Sequence, residues 1–114
     1  MREQYLSEEQ INTITDGDIE FKKELISMYI EDCKKRFENI LKVCSTKDQL
    51  DFKQLEIEYH TLKGASLNIG ALKLKEIAQA LESFAINKDA KSILKTNSEL
   101  GQALEMTINY LQEN

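Results

Sequence analysis

Not one proline occurs in the 114 residues of this chain. Proline removes a backbone donor and collides with the preceding helical turn, so its absence leaves helices free to run without a break. Only four glycines are present, and Leu, Lys, Glu, Ile and Ala dominate. All but Ile are strong helix formers. The expected fold class is all-α.

The apolar spacing agrees. Phe52, Leu55, Tyr59, Leu62, Ser66 and Ile69 recur at alternating steps of three and four, which places them on one helix face. Taken in order, residues 1–6 are expected to fray. Ser7-Glu8-Glu9-Gln10 has the form of a capping box and opens a short helix to about Ile14, broken by Asp16-Gly17. Asp18 caps a second helix running to about Cys44, with Glu20 favoured in its first turn. Its apolar set is Phe21, Leu25, Ile26, Met28, Tyr29, Ile30, Cys33, Phe37, Ile40, Leu41 and Cys44, wide in the first half and narrower in the second.

Ser45-Thr46-Lys47 is a connector, and Asp48 is expected to cap the third helix. Gly70 ends that helix as a left-handed cap. The fourth helix runs from Ala71 to about Ile86 on a seam of Leu74, Ile77, Ala78, Leu81 and Phe84. After Asn87-Lys88-Asp89 a final helix, about Ala90 to Gln112, buries Ile93, Leu94, Leu100, Leu104, Ile108 and Leu111. Four long amphipathic helices with short links predict an up-down-up-down antiparallel four-helix bundle. It covers about residues 18–112, with a short extra helix at about 8–14 packed over one end, in a single domain spanning 1–114.

Composition excludes several functions. A net charge of −5 argues against nucleic acid as partner, since phosphate neutralisation needs a basic face. No run of about eighteen apolar residues exists, so nothing is expected to span a membrane. Met1-Arg2-Glu3-Gln4-Tyr5 has no apolar signal core, and the chain reads as cytoplasmic. Cys33 and Cys44 lie eleven residues apart on one helix, roughly 16 Å along its axis. That is too far for a disulfide, so both read as reduced core residues. With one histidine and no paired cysteine motif, neither a metal site nor a bound cofactor is expected.

That single histidine, His60, lies in Tyr59-His60-Thr61-Leu62-Lys63-Gly64-Ala65-Ser66-Leu67-Asn68-Ile69-Gly70. At about 100° per residue it points roughly 130° away from the centre of the buried seam. Most such histidines are plain surface residues, but the neighbours here are unusual. Lys63 at i+3 can neutralise an anion held on the ring. Gly64 at i+4 costs about 1 kcal/mol inside a helix, and it clears space beside the ring. Ile57 and Leu67 form an apolar rim suited to a docking partner. The third and fourth helices reverse near Gly70, so residues equidistant from the turn lie side by side. Gln79 and Glu82 fall off the apolar seam there, and one or both should reach the ring.

His60, Leu62-Lys63-Gly64, Ser66 and Ile69-Gly70, followed by the apolar run through Leu81-Glu82, resemble the histidine-containing phosphotransfer (HPt) domain. Upstream, Asp18-Ile19-Glu20-Phe21 and Tyr29-Ile30-Glu31-Asp32 resemble that family's first bundle helix, and the likeness covers roughly residues 7–112. The resemblance implies a phosphorelay intermediary that is not itself an enzyme. His60 would accept a phosphoryl group from a receiver-domain phospho-aspartate and pass it to another receiver aspartate. Glu82 would orient the ring by accepting the Nδ1 proton, with Gln79 as a further polar neighbour. Lys63 would neutralise charge, Gly64 would give access, and Ile57 and Leu67 would dock the receiver. Mg²⁺ would come with the partner receiver, and the domain would act as a monomer. Two other readings are a phospho-accepting domain of a larger hybrid or chemotaxis-type histidine kinase, and a non-phosphorylated adaptor bundle. No glycine-rich phosphate loop supports ATP-dependent kinase activity of the chain's own.

Overall fold

A computed structural model describes residues 1–45 and 49–113. The described residues form α1 (Arg2–Tyr5), α2 (Glu8–Thr15), α3 (Ile19–Cys44), α4 (Phe52–Ile69), α5 (Leu72–Ile86) and α6 (Ala90–Gln112). The last four make an elongated bundle within extents of 48 × 23 × 20 Å. None of these helices is long and apolar enough to cross a membrane.

Caps set the helix limits. Ser7, Asp18, Asp51 and Asp89 each accept a hydrogen bond from the backbone N–H three residues on, at 3.0–3.2 Å. Each satisfies one donor that the first turn would leave orphaned. The observed cap of α4 is therefore Asp51, and Asp48 lies outside the described residues, as do Thr46 and Lys47 of the expected connector. The capping box at Ser7 is only half formed. The Gln10 amide turns away and donates to the Asn68 carbonyl at 3.2 Å, while the Ser7 N–H donates to the Gly70 carbonyl at 2.8 Å.

The α4–α5 reversal is a Schellman turn. The Ala71 N–H reaches back to the Ser66 carbonyl at 2.8 Å and the Gly70 N–H to the Leu67 carbonyl at 3.3 Å. Gly70 has φ +84°, and a Cβ there would lie 2.9 Å from both Gln10 Cβ and the Ser7 carbonyl oxygen. Glycine is thus required twice, by backbone hand and by the close approach of α2. The α5–α6 turn repeats the pattern: the Asp89 N–H reaches the Phe84 carbonyl and the Lys88 N–H that of Ala85. There Lys88 itself takes the left-handed conformation, at φ +56°.

The core is built from Leu55, Tyr59, Leu62 and Ile69 of α4, Leu74, Ile77, Ala78, Leu81 and Ala85 of α5, and matching residues of α3 and α6. The wide stripe of α3 is less buried than its composition suggests. Tyr29, Ile30, Cys33 and Ile40 are inside, but Phe21, Met28 and Leu41 are exposed. Leu94 of α6 is exposed too, and Phe84 is only partly buried. A single helix can bury only the arc facing its neighbours, so apolar residues beyond that arc stay at the surface.

The N-terminus also departs from expectation. Residues 2–5 are helical, Leu6 is buried and pairs with Ala71, and the Tyr5 and Tyr110 rings sit 5.4 Å apart. Arg2 joins Glu8 and Glu113 and lies over the Tyr110 ring. Tyr5 and Leu6 supply the apolar anchor that the charged flanks conceal in the sequence.

Buried polar ties fix how the helices seat. The Tyr29 and Ser66 hydroxyls meet at 2.6 Å, and the Tyr59 hydroxyl donates to Asn97 Oδ1 at 2.7 Å. Arg36 bridges Asp32 on its own helix and the buried Glu58 of α4, at 2.7 Å to Glu58 Oε1. The Asn97 amide donates to Cys44 Sγ at 3.2 Å. Both cysteines are free, Cys33 fully buried and Cys44 half-buried. Burial pushes the Cys33 thiol up to about 12.

The two turns make opposite predictions, read by urea unfolding. Gly70→Ala should cost about 2–3 kcal/mol, combining the left-handed penalty with the clash against α2. Lys88→Gly should stabilise by about 0.5–1 kcal/mol, because it removes that same penalty.

Candidate functional site

Helix α4 turns its core seam inward, and this sends His60 to the surface, with its side chain 67% exposed. Helix α5 returns antiparallel from Gly70 and brings Glu82 alongside. Glu82 Oε2 lies 2.7 Å from His60 Nδ1, and Glu82 Oε1 accepts from Lys63 Nζ at 2.6 Å. The glutamate side chain is only 13% exposed, so one half-sheltered carboxylate is engaged through both oxygens.

The hydrogen bond from Lys63, followed by that from the His60 ring, holds the Glu82 carboxyl below its ordinary value, against a partial burial that pushes it up. An ionised Glu82 can only accept. In the neutral ring Nδ1 therefore carries the proton, and Nε2, on the far side of the ring, has the lone pair. An exposed imidazole in this state is a nucleophile held in one tautomer.

Gly64 is exposed one turn beyond His60, and a Cβ there would meet nothing within 4 Å. No internal contact calls for glycine at this position, so what it keeps clear is the outside of the helix. Ile57 and Leu67 are 49% and 57% exposed on the same outward side. Gly64, Ala65, Leu67 and Asn68 also line an open groove of about 690 Å³, walled by Ser7 and Gln10 and by Leu72 of α5.

His60, Lys63, Gly64 and Glu82 thus come together. Gln79 does not join them: it is exposed on α5 and hydrogen-bonds to neither His60 nor Glu82 among the described residues. Equidistance from the turn admitted both residues, and the rotation of α5 about its axis decided for Glu82. Sequence reasoning also missed the α2 wall of the groove, because Ser7 and Gln10 lie far from His60 along the chain. It took Lys63 as a cation facing an incoming anion, whereas its ammonium is bound to Glu82. Ser66, read as a small core residue, is fully buried and tied to Tyr29.

Comparison with known proteins bears on the family and the fold. The sequence model of the Hpt domain matches residues 24–114. Histidine-containing phosphotransfer protein 2 of Arabidopsis thaliana is 36% identical over 62 residues, covering 54% of this chain and 40% of that protein. Protein 5 of the same plant is 24% identical over 98 residues, covering 86% and 62% respectively. The matched region is thus less than two thirds of either relative's length. Among solved structures, a rice protein of the histidine-containing phosphotransfer type superposes with a TM-score of 0.87 at 19% identity, over 98% of this chain and 82% of its own. A maize histidine-containing phosphotransfer protein gives 0.83 at 18%, over 94% and 86%. At those identities the two structures speak for the shared fold alone. The family model spans most of the chain and includes His60, Lys63, Gly64 and Glu82, and the chain therefore belongs to the Hpt domain family.

Proposed function

We propose that this chain is a phosphocarrier in a histidine–aspartate phosphorelay, working as a monomer in the cytoplasm without kinase activity of its own. The observation that carries the proposal is the exposed His60 ring, its Nδ1 bonded to Glu82 and open space at Gly64 beside it. The partners are receiver domains. Nε2 attacks the phosphorus of a receiver's aspartyl phosphate. The N–P bond forms as the P–O bond to the aspartate breaks, and that carboxylate leaves with the bonding pair. A second receiver's carboxylate then takes the phosphoryl group by the same displacement in reverse.

The ring becomes a phosphoimidazolium with Nδ1 still protonated, and Glu82 stabilises the positive charge that develops there. Phosphoryl transfer asks mainly for positioning and charge neutralisation. Lys63 is engaged by the Glu82 carboxylate, so the positive charge facing the phosphoryl group would be the Mg²⁺ that comes with the receiver. Gly64 lets the receiver's active-site loop approach, and Ile57 and Leu67 give it an apolar landing surface.

Incubation with a receiver charged by acetyl phosphate should add one acid-labile, alkali-stable phosphate, read by intact mass. His60→Gln should abolish the gain while leaving the helical signal and melting curve unchanged. A phosphate that persists in His60→Gln would refute the assignment.

Gly64→Ala should stabilise the fold by about 0.5–1 kcal/mol, since it fills no occupied space and removes a helix-interior glycine. Gly64→Phe should slow transfer from the receiver at least tenfold while sparing labelling by the small donor phosphoramidate. Equal rates from both donors would remove the access role.

Stability should also depend on pH through Glu82. Its folded pKa lies below the unfolded value of 4.5, so its contribution is complete above that value and is lost as pH falls through the folded pKa. Glu82→Gln should therefore be less stable than the parent at pH 7, and the gap should shrink below about pH 4.5. Urea unfolding at pH 7, 5 and 3 reads this out.

A further inference from the structure

The groove beside Gly64 takes one wall from α2, a helix of 8 residues. A helix that short does not hold itself together and depends on what it is tied to. The Ser7 N–H and the Gln10 amide fasten it to the α4–α5 turn. Lys22 of α3 fastens it on another side, donating to Asn12 Oδ1 at 3.2 Å and meeting Glu8 Oε2 at 3.6 Å. The link to α6 comes through Arg2. One terminal nitrogen of its guanidinium pairs with Glu8, the first residue of α2, and the other pairs with Glu113, just beyond α6, at 3.2 Å. Arg2 Cζ also lies 6.0 Å from the centre of the Tyr110 ring, against which Tyr5 packs.

A single exposed ion pair holds little. Here one planar guanidinium, on a side chain 29% exposed, serves two carboxylates and an aromatic face at once, and a rigid fork satisfies all three in one geometry only. The apolar joint beneath it is not completely filled. A cavity of about 10 Å³ remains, and Arg2, Leu6, Ile11, Ile69 and Leu111 are among its walls. A gap forfeits contacts on one side, so apolar packing alone does not lock the first turn of α2. We infer that Arg2 is a positioning residue for receiver docking: acting through Glu8, it holds the first turn of α2 to the end of α6 and so keeps Ser7 and Gln10 in place as the wall of the groove beside Gly64. The inference rests on the phosphocarrier reading for its purpose, but the seating of α2 does not. Arg2 is engaged within the chain and needs no contact with the receiver itself.

Transfer from a receiver charged by acetyl phosphate, followed against the concentration of this chain, separates docking from chemistry. Arg2→Gln should raise the half-saturating concentration severalfold and leave the maximal rate as in the parent. Labelling by phosphoramidate, which has no use for the groove, should not change. Gln10→Ala should weaken docking in the parent and add nothing in the Arg2→Gln background. Amide hydrogen exchange should show the helical N–H groups of α2 opening faster in Arg2→Gln, with those of α4 unchanged. An unchanged half-saturating concentration, an equal loss with both donors, additive effects of the two substitutions, or unchanged exchange in α2 would each overturn the inference. The exchange measurement involves no phosphoryl transfer. Failure of the phosphocarrier reading would show as no labelling of the parent by either donor, and exchange in α2 would then decide by itself whether Arg2 seats the wall.

Discussion

The left-handed turn at Gly70 governs the His60 site, because it sets the register in which α5 returns along α4. Its two reverse hydrogen bonds and its positive φ allow one tight reversal, after which Glu82 falls beside His60. The same glycine admits α2 at a distance that no side chain would tolerate. One residue therefore fixes both the His60–Glu82 pairing and the seat of the N-terminal helices. The Ser7 N–H and the Gln10 amide then satisfy carbonyls at the end of α4 that the helix leaves open.

Register along the hairpin would be of little use if α4 could rotate about its own axis. Polar ties on the buried side oppose that rotation. Tyr59, the residue before His60, is anchored to Asn97 of α6, Ser66 to Tyr29 of α3, and Glu58 to Arg36 of α3. A buried pair left half-made costs more than a missing apolar contact, so such ties discriminate against shifted packings. They hold α4 from both sides, and they hold His60 facing outward. At the surface the economy is different. His60 and Gly64 contribute little to packing, and the space beside them is kept clear at the expense of helix stability.

Much of this was legible in the chain. The 3–4 spacing from Leu55 to Ile69 assigned α4 its buried face and thereby turned His60 outward. Ser7, Asp18 and Gly70 marked helix ends through chemistry that is local and side-chain specific. The cap of α4 is Asp51 and not the expected Asp48 because a cap must directly precede the first helical residue, here Phe52, and an acidic stretch does not report where the helix begins. Leu94, expected to be buried, is exposed, as are Phe21, Met28 and Leu41 of the α3 apolar set: an apolar residue signals that burial is favourable, not that a neighbour is there to provide it. Tyr5 and Leu6 were lost among charges, although two apolar side chains suffice to anchor a four-residue helix against a ready-made end.

The sequence by itself determined an all-helical chain, the approximate limits of its long helices, the outward histidine and the glycine beside it. Each follows from interactions within a few residues or from the period of a single helix. Spacing from the turn left Glu82 and Gln79 both open and only the resemblance pointed to Glu82; the tertiary structure decided that Glu82 meets the ring, that Lys63 spends its charge on that carboxylate, and that α2 walls the groove next to Gly64. Those outcomes depend on how far each helix is rotated about its axis and which partner lies across from it. That rotation is set by many weak contacts and a few buried hydrogen bonds summed over the whole bundle, which no local pattern encodes.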